Sequence, residues 1–173
     1  MEIIDLYDNK KQKLNKTMVR LAGEPAAGEF RLSVHIWILN SKGELLIQKR
    51  SESVKKNPGK WAFTGGVVDT NETSLEGAIR EVKEELGVNV RNEEIEYLLS
   101  FKREKGFVDV WLVKKDISID EVILQKEEVA EVKWVSIKEM IELMETGEMV
   151  ASIDLYLDIF VKLLKKCHNI NID

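Results

Sequence analysis

The sequence predicts an α/β fold, a mixed β-sheet sandwiched between α-helices, and three observations lead there. Apolar residues alternate with period two in several short stretches, the pattern of half-buried strands. Residues 73–87 carry an apolar stripe at helical spacing, with capping residues at both ends. Residues 150–166 form a second amphipathic segment whose lysines sit near its C-terminus, where the helix dipole favours cations.

The elements follow in chain order. "EIIDLYD" reads as a short strand, "KKQKLNK" as a solvated polar segment, and "AGEPAAGE" (22–29) as a loop. "FRLSVHIWIL" (30–39) predicts a long strand with Val34, Ile36 and Ile38 on one face, and "NSKGE" turns it into "LLIQK" (45–49). "SVKKNPGK" (53–60) is a basic loop, followed by strand, glycine pair and strand in "WAFTGGVV" (61–68). Thr73 and Glu76 have capping-box spacing, and Gly87 is placed to end the helix in a left-handed conformation. Leu75, Ala78, Ile79, Val82 and Leu86 make the buried stripe of this helix. Glu81, Glu84 and Glu85 make a compact acidic face beside it, with Glu85 at the border. "EIEYLLSFK" (94–102) and "GFVDVWLVKK" (106–115) predict a hairpin, and "EVKWV" (131–135) the last strand. Ser136 and Glu139 form a second capping box, opening a helix to about Met144. One domain is expected over residues 1–173: an N-terminal strand and loop (1–29), a core (30–145) and the closing helix.

Composition bounds the function. A content of 44% hydrophobic and 33% charged residues describes an ordinary globular protein. The net charge of −5 argues against a nucleic-acid partner, while leaving room for a small phosphorylated ligand in a locally basic pocket. Cys167 is the only cysteine, so no intrachain disulfide is expected and a zinc cluster is disfavoured. The N-terminus has no basic start followed by an apolar core, and no apolar run approaches the roughly 18 residues of a membrane span. A cytoplasmic location without membrane association fits these features.

Three glutamates within one turn repel one another, and such a face usually marks only solvated surface. The surrounding residues change that reading. From Gly66, "GVVDTNETSLEGAIREVKEELGV" runs Gly, five residues, Glu72, seven residues, Arg80, Glu81, Val82, one free position, Glu84, Glu85, one free position, Gly87, Val88. It resembles the Nudix box at every specified position over 23 residues, and the flanking strands resemble the same family over about residues 30–145.

The resemblance implies a hydrolase that cleaves a pyrophosphate bond in a nucleoside diphosphate linked to another moiety. It implies that Glu81, Glu84 and Glu85 hold Mg²⁺ (or Mn²⁺), helped by the Gly65 carbonyl, since hard cations take oxygen ligands. Glu72 and Arg80 look like the orienting pair, and Gly66 lets the backbone approach the substrate closely. The general base in relatives is either the first of these helix glutamates, here Glu81, or a glutamate before the last strand, here Glu128 or its neighbour Glu127. Asp109 is a weaker candidate that is expected to face water.

"LLIQKRSESVKKNPGKW" resembles the matching part of type I isopentenyl diphosphate isomerases, which implies that Arg50 and Lys55 contact the diphosphate. Lys56 and Lys60 are expected to be solvated, and Trp37, Trp61 and Phe63 to belong to the core. An isomerase is the alternative reading, but its catalytic cysteine is missing from "AFTGGVV" and the only histidines are His35 and His168. A non-catalytic nucleotide-sensing domain is a third reading, set against a complete set of box glutamates. Family signatures for ADP-ribose, dinucleoside polyphosphate, coenzyme A and NADH substrates are absent, so the moiety stays open. The closing helix leaves two packings open, against its own sheet or across a homodimer interface.

Overall fold

Period-two burial sets the strands of the computed structural model, which describes residues 2–150 and 157–168. The chain forms two compact units. The first comprises residues up to Trp37 together with Thr64–Val113, and the second comprises Ile38–Phe63 and the residues from Lys114 onward.

The first unit opens with the hairpin β1 (Ile3–Tyr7) and β2 (Lys13–Val19). Ile4 and Leu6 of β1 are buried, whereas β2 is largely polar and exposed. The polar segment expected after the first strand is therefore partly a strand: its N-terminal partner supplies the apolar anchor and β2 the outer edge. Next come β3 (Arg31–Leu39), β6 (Thr64–Val67), α1 (Ser74–Leu86), β7 (Ile95–Arg103) and β8 (Gly106–Lys114), with β4 and β5 intervening in sequence but belonging to the second unit. β6 runs antiparallel to β3, with His35 opposite Gly65 and Val34 opposite Gly66. β7 and β8 form the expected hairpin, with a register shift between Tyr97 and Leu99. β3 and β8 are neighbours that start together, Arg31 N–H donating to Lys105 O (3.2 Å), and finish together, Lys115 N–H donating to Leu39 O (3.0 Å). They run parallel among antiparallel pairs, so the sheet is mixed.

Both capping predictions for α1 hold. Thr73 Oγ1 accepts from Glu76 N–H (3.2 Å), Glu76 Oε2 accepts from Thr73 N–H (2.7 Å), and Gly87 takes φ 70°. Ala78, Val82 and Leu86 are fully buried, each contributing roughly 1–3 kcal/mol through area removed from water. Trp111 Nε1–H donates to Ser74 Oγ (3.0 Å), fixing the helix start against β8.

In the second unit, β4 (Leu45–Arg50) pairs with Ile38 and Leu39, the part of β3 that belongs to this unit, with β5 (Trp61–Ala62) and with β9 (Val129–Val135), all antiparallel. β9 begins at Val129, two residues before the expected start, because Arg50 pairs with Val129 after a register shift. The second capping box is present, with Ser136 at the start of α2 (Ile137–Glu145). Trp37, Trp61 and Phe63 are buried as expected, and Lys56 and Lys60 are exposed. The closing helix α3 is described over Leu157–His168; residue 150 is not helical, and 151–156 lie outside the described residues. Phe160 and Leu164 of α3 are buried within this chain alone. Among the described residues, no helix is long and apolar enough to cross a membrane.

Candidate active site

The glycine pair of β6 and one face of α1 build the site in the first unit. A Cβ added at Gly65 would lie 2.3 Å from Val34 O, so a side chain there would force β6 off β3. A Cβ at Gly66 would lie 2.1 Å from Glu81 Oε1, so the bare backbone at this position makes room for a carboxylate. Gly65 N–H donates to Glu85 Oε2 at 3.3 Å. The two glycines thus form the floor on which Glu81 and Glu85 rest.

That floor corrects one expectation. Glu81 and Glu85 are buried, at 5% and 2% exposure, and only Glu84 of the three faces solvent. The acidic face is turned toward β6, and the buried arc of α1 is wider than its apolar stripe.

Arg80 ties the cluster together. Its Nε and Nη2 donate to the two oxygens of Glu72 (2.8 and 3.1 Å), a bidentate pair. Nη1 donates to Glu81 Oε1 and to Glu84 Oε2, both at 2.9 Å, and Nη2 also reaches Val67 O at 3.0 Å. Glu72 in turn accepts from Asp69 N–H (3.1 Å), which fixes the loop leading into α1. Burial opposes the Arg80 charge, but Glu72, Glu81 and Glu84 outweigh it and hold the guanidinium above its ordinary range.

Negative charge exceeds positive charge here. Burial pushes the Glu81 carboxyl up to about 7, against the pull of Arg80 and, more weakly, of Arg20. Burial also raises Asp69, whose Oδ1 is enclosed without a hydrogen-bond partner. His35, opposite Gly65, is held neutral, its pKa driven down to about 3 by burial and by the nearby Arg103 charge. Its Nε2 lies 3.5 Å from Arg103 Nη2.

Asp109 does not face water. It is 3% exposed and forms an ion pair with Lys11, whose Nζ also donates to Ser100 Oγ (3.0 Å). β8 is covered on both faces, so its single carboxylate needed a cation brought from the N-terminal hairpin.

In the second unit, the β4–β9 pairing brings the Arg50 segment beside the Glu127–Glu128 loop. Ser51 N–H donates to Glu128 O (2.8 Å) and Ser53 Oγ to Glu127 O (2.9 Å). Arg50 Nε donates to Lys56 O (3.0 Å), which fixes its guanidinium plane, while Lys55 and Glu127 are exposed. The first unit gathers Gly65, Gly66, Glu72, Arg80, Glu81, Glu84 and Glu85, and the second gathers Arg50, Lys55, Glu127 and Glu128.

The NUDIX domain family matches residues 29–154, which contain this whole cluster. The chain belongs to the Nudix hydrolase family. An uncharacterized Nudix hydrolase of Listeria monocytogenes is 38% identical over 152 residues, spanning 87% of this chain and 89% of that protein. A MutT protein from Methanosarcina mazei Go1 has a similar structure, with 30% identity, a TM-score of 0.63, and coverage of 79% of this chain and 96% of that one. The structure of DR0079 from Deinococcus radiodurans shares the fold at 24% identity, with a TM-score of 0.72 over 86% of this chain and 92% of that one. As a Nudix hydrolase the protein is an enzyme of the pyrophosphohydrolase class, a family that uses divalent metal ions.

Proposed function

We propose that this Nudix hydrolase cleaves the pyrophosphate bond of a nucleoside diphosphate linked to another moiety, with Mg²⁺ or Mn²⁺ held by Glu81, Glu84, Glu85 and the Gly65 carbonyl. The observation that carries this reading is the acidic surplus around one guanidinium. Arg80 alone serves Glu72, Glu81 and Glu84, and burial pushes the Glu81 carboxyl up to about 7 in spite of it. A further cation relieves that surplus.

The donor set fits such an ion, being all oxygen and resting on a side-chain-free backbone at Gly66. Among the described residues, no three His, Cys, Asp or Glu side chains converge closely enough to hold a metal ion by themselves. Mg²⁺ is commonly held by one or two carboxylates together with substrate phosphates, so an incomplete acidic set with one solvent-facing member, Glu84, suits an ion that arrives with its substrate. When bound, such an ion neutralises phosphate charge and acidifies a coordinated water.

The chain's own residues supply the rest. Glu72 locks Arg80, and Arg80 orients Glu81 and Glu84, so the carboxylates are positioned before substrate arrives. Glu81, poised near neutral pH, is one candidate to take the proton of the attacking water. Glu128, or Glu127 beside it, is the other. Arg50 and Lys55 are the proposed cations for the diphosphate, by their likeness to the isomerase segment.

The test is phosphate release from a panel of nucleoside diphosphate compounds, with Mg²⁺ and with chelator. Turnover is expected to need the metal and to fall by most of its value in Glu84→Gln or Glu85→Gln with the fold retained. Of Glu81→Gln, Glu127→Gln and Glu128→Gln, the one that removes the base should cost roughly 10²–10⁴ in kcat. Turnover indifferent to chelation and to both metal-ligand substitutions would sink the reading.

A further inference from the structure

The hairpin β1–β2 lies outside the residues matched by the family, yet it makes polar contacts with the loop of the Nudix box. Thr70 N–H donates to Ile3 O at 2.8 Å, and Thr70 Oγ1 donates to Asp5 Oδ1 at 2.9 Å. Asn71 N–H donates to Asp5 Oδ2 at 3.1 Å, and Lys13 Nζ pairs with the same oxygen at 2.5 Å. Asp5 is 4% exposed, so both carboxylate oxygens are spent on this junction out of water.

Asn71 is the residue that needs holding. It has φ 67°, a left-handed conformation that Asn adopts more readily than most residues, inside a turn closed by Glu72 N–H donating to Asp69 O (3.2 Å), to which Asp5 adds the tie from outside the loop. The next residue is Glu72, whose carboxylate clamps Arg80, and Arg80 aims Glu81 and Glu84.

We propose that Asp5 is a positioning residue of the active site: it pins the left-handed turn at Asn71 and so fixes the Glu72–Arg80 clamp that presents Glu81 and Glu84 to a divalent cation. This rests on the metal-dependent reading above. The bland alternative is that Asp5 merely secures a terminal hairpin, which would affect stability and nothing else.

The two are separated by Mn²⁺ titration of the full chain, followed by electron paramagnetic resonance of the free ion, beside thermal unfolding. Asp5→Ala should weaken Mn²⁺ binding roughly tenfold, the scale seen when an outer-shell partner of a metal site is removed. Asp5→Asn keeps one acceptor oxygen and should recover part of the loss. Thr70→Val removes only the hydroxyl contact and should weaken binding less than Asp5→Ala. Lys16→Met cuts a different tie of this hairpin, the Lys16–Glu29 ion pair, and should leave Mn²⁺ affinity unchanged. Should Asp5→Ala fail to fold, Asp5→Asn and Thr70→Val carry the comparison. Wild-type Mn²⁺ affinity in the folded Asp5 and Thr70 variants, or an equal loss in Lys16→Met, overturns the proposal. Failure of the unsubstituted protein to take up Mn²⁺ is a separate result that overturns the metal reading itself, and this inference with it.

Discussion

Glu81 sets folding against function, and the conflict has a measurable size. Its carboxyl is pushed from the ordinary 4.5 up to about 7, chiefly by burial. A group whose folded pKa is raised contributes stability that is present below 4.5 and lost as pH rises through 7. The gap of about 2.5 pH units, at roughly 1.4 kcal/mol per unit, makes a loss of about 3 kcal/mol by pH 8. Glu81→Gln imitates the protonated acid and keeps an oxygen for Arg80 Nη1, so it escapes that loss. In chelator, the variant should exceed the wild type by less than about 1 kcal/mol near pH 5. At pH 8 the variant should be more stable by about 3 kcal/mol, or roughly 6–12 °C in Tm for a chain of this size. Mn²⁺ favours the ionised wild-type carboxylate, so adding it should narrow or reverse the difference. Urea or thermal unfolding across pH 5–8 measures this directly. Parallel pH profiles for the two proteins would refute the argument that Glu81 is buried against its own charge.

The two glycines of β6 should respond in opposite ways to the same added methyl. Gly65→Ala strikes backbone at Val34 O and should cost roughly 1–3 kcal/mol of stability, read by urea unfolding. Gly66→Ala strikes the end of the Glu81 side chain, and should lower turnover and Mn²⁺ affinity more than stability, read by kinetics and calorimetry. Thr73→Ala removes the hydroxyl that caps α1 and should cost about 1 kcal/mol with Mn²⁺ affinity little changed. An equal effect on metal binding would mean that the helix start is coupled to the carboxylates.

Much of α1 was legible in the sequence because local chemistry decides it: the capping box and the left-handed Gly87 appear where the residues place them, and of the expected buried stripe Ala78, Val82 and Leu86 are buried while Leu75 and Ile79 are half-buried. What the stripe did not reveal was the burial of Glu81 and Glu85. Periodicity reports apolar side chains, and the surface covering these two carboxylates is a glycine pair, which carries no hydrophobic signal. The strand β2 was missed for a related reason. "KLNKTMV" is mostly polar, and it becomes a strand because β1 offers it a backbone edge. Asp109 looked solvated because its partner, Lys11, lies far away in the chain on a turn with φ 61°. Asp5 gave no signal, since a lone aspartate in an apolar strand resembles any solvent-facing residue until the loop it holds is folded beside it.

A single guanidinium divided among Glu72, Glu81 and Glu84 has a consequence for anyone dissecting the cluster by mutation. Removing one acid hands its share of Arg80 to the remaining two, so single-site losses are partly compensated and a double substitution will cost more than its parts suggest. Double-mutant cycles are therefore the natural unit of measurement here.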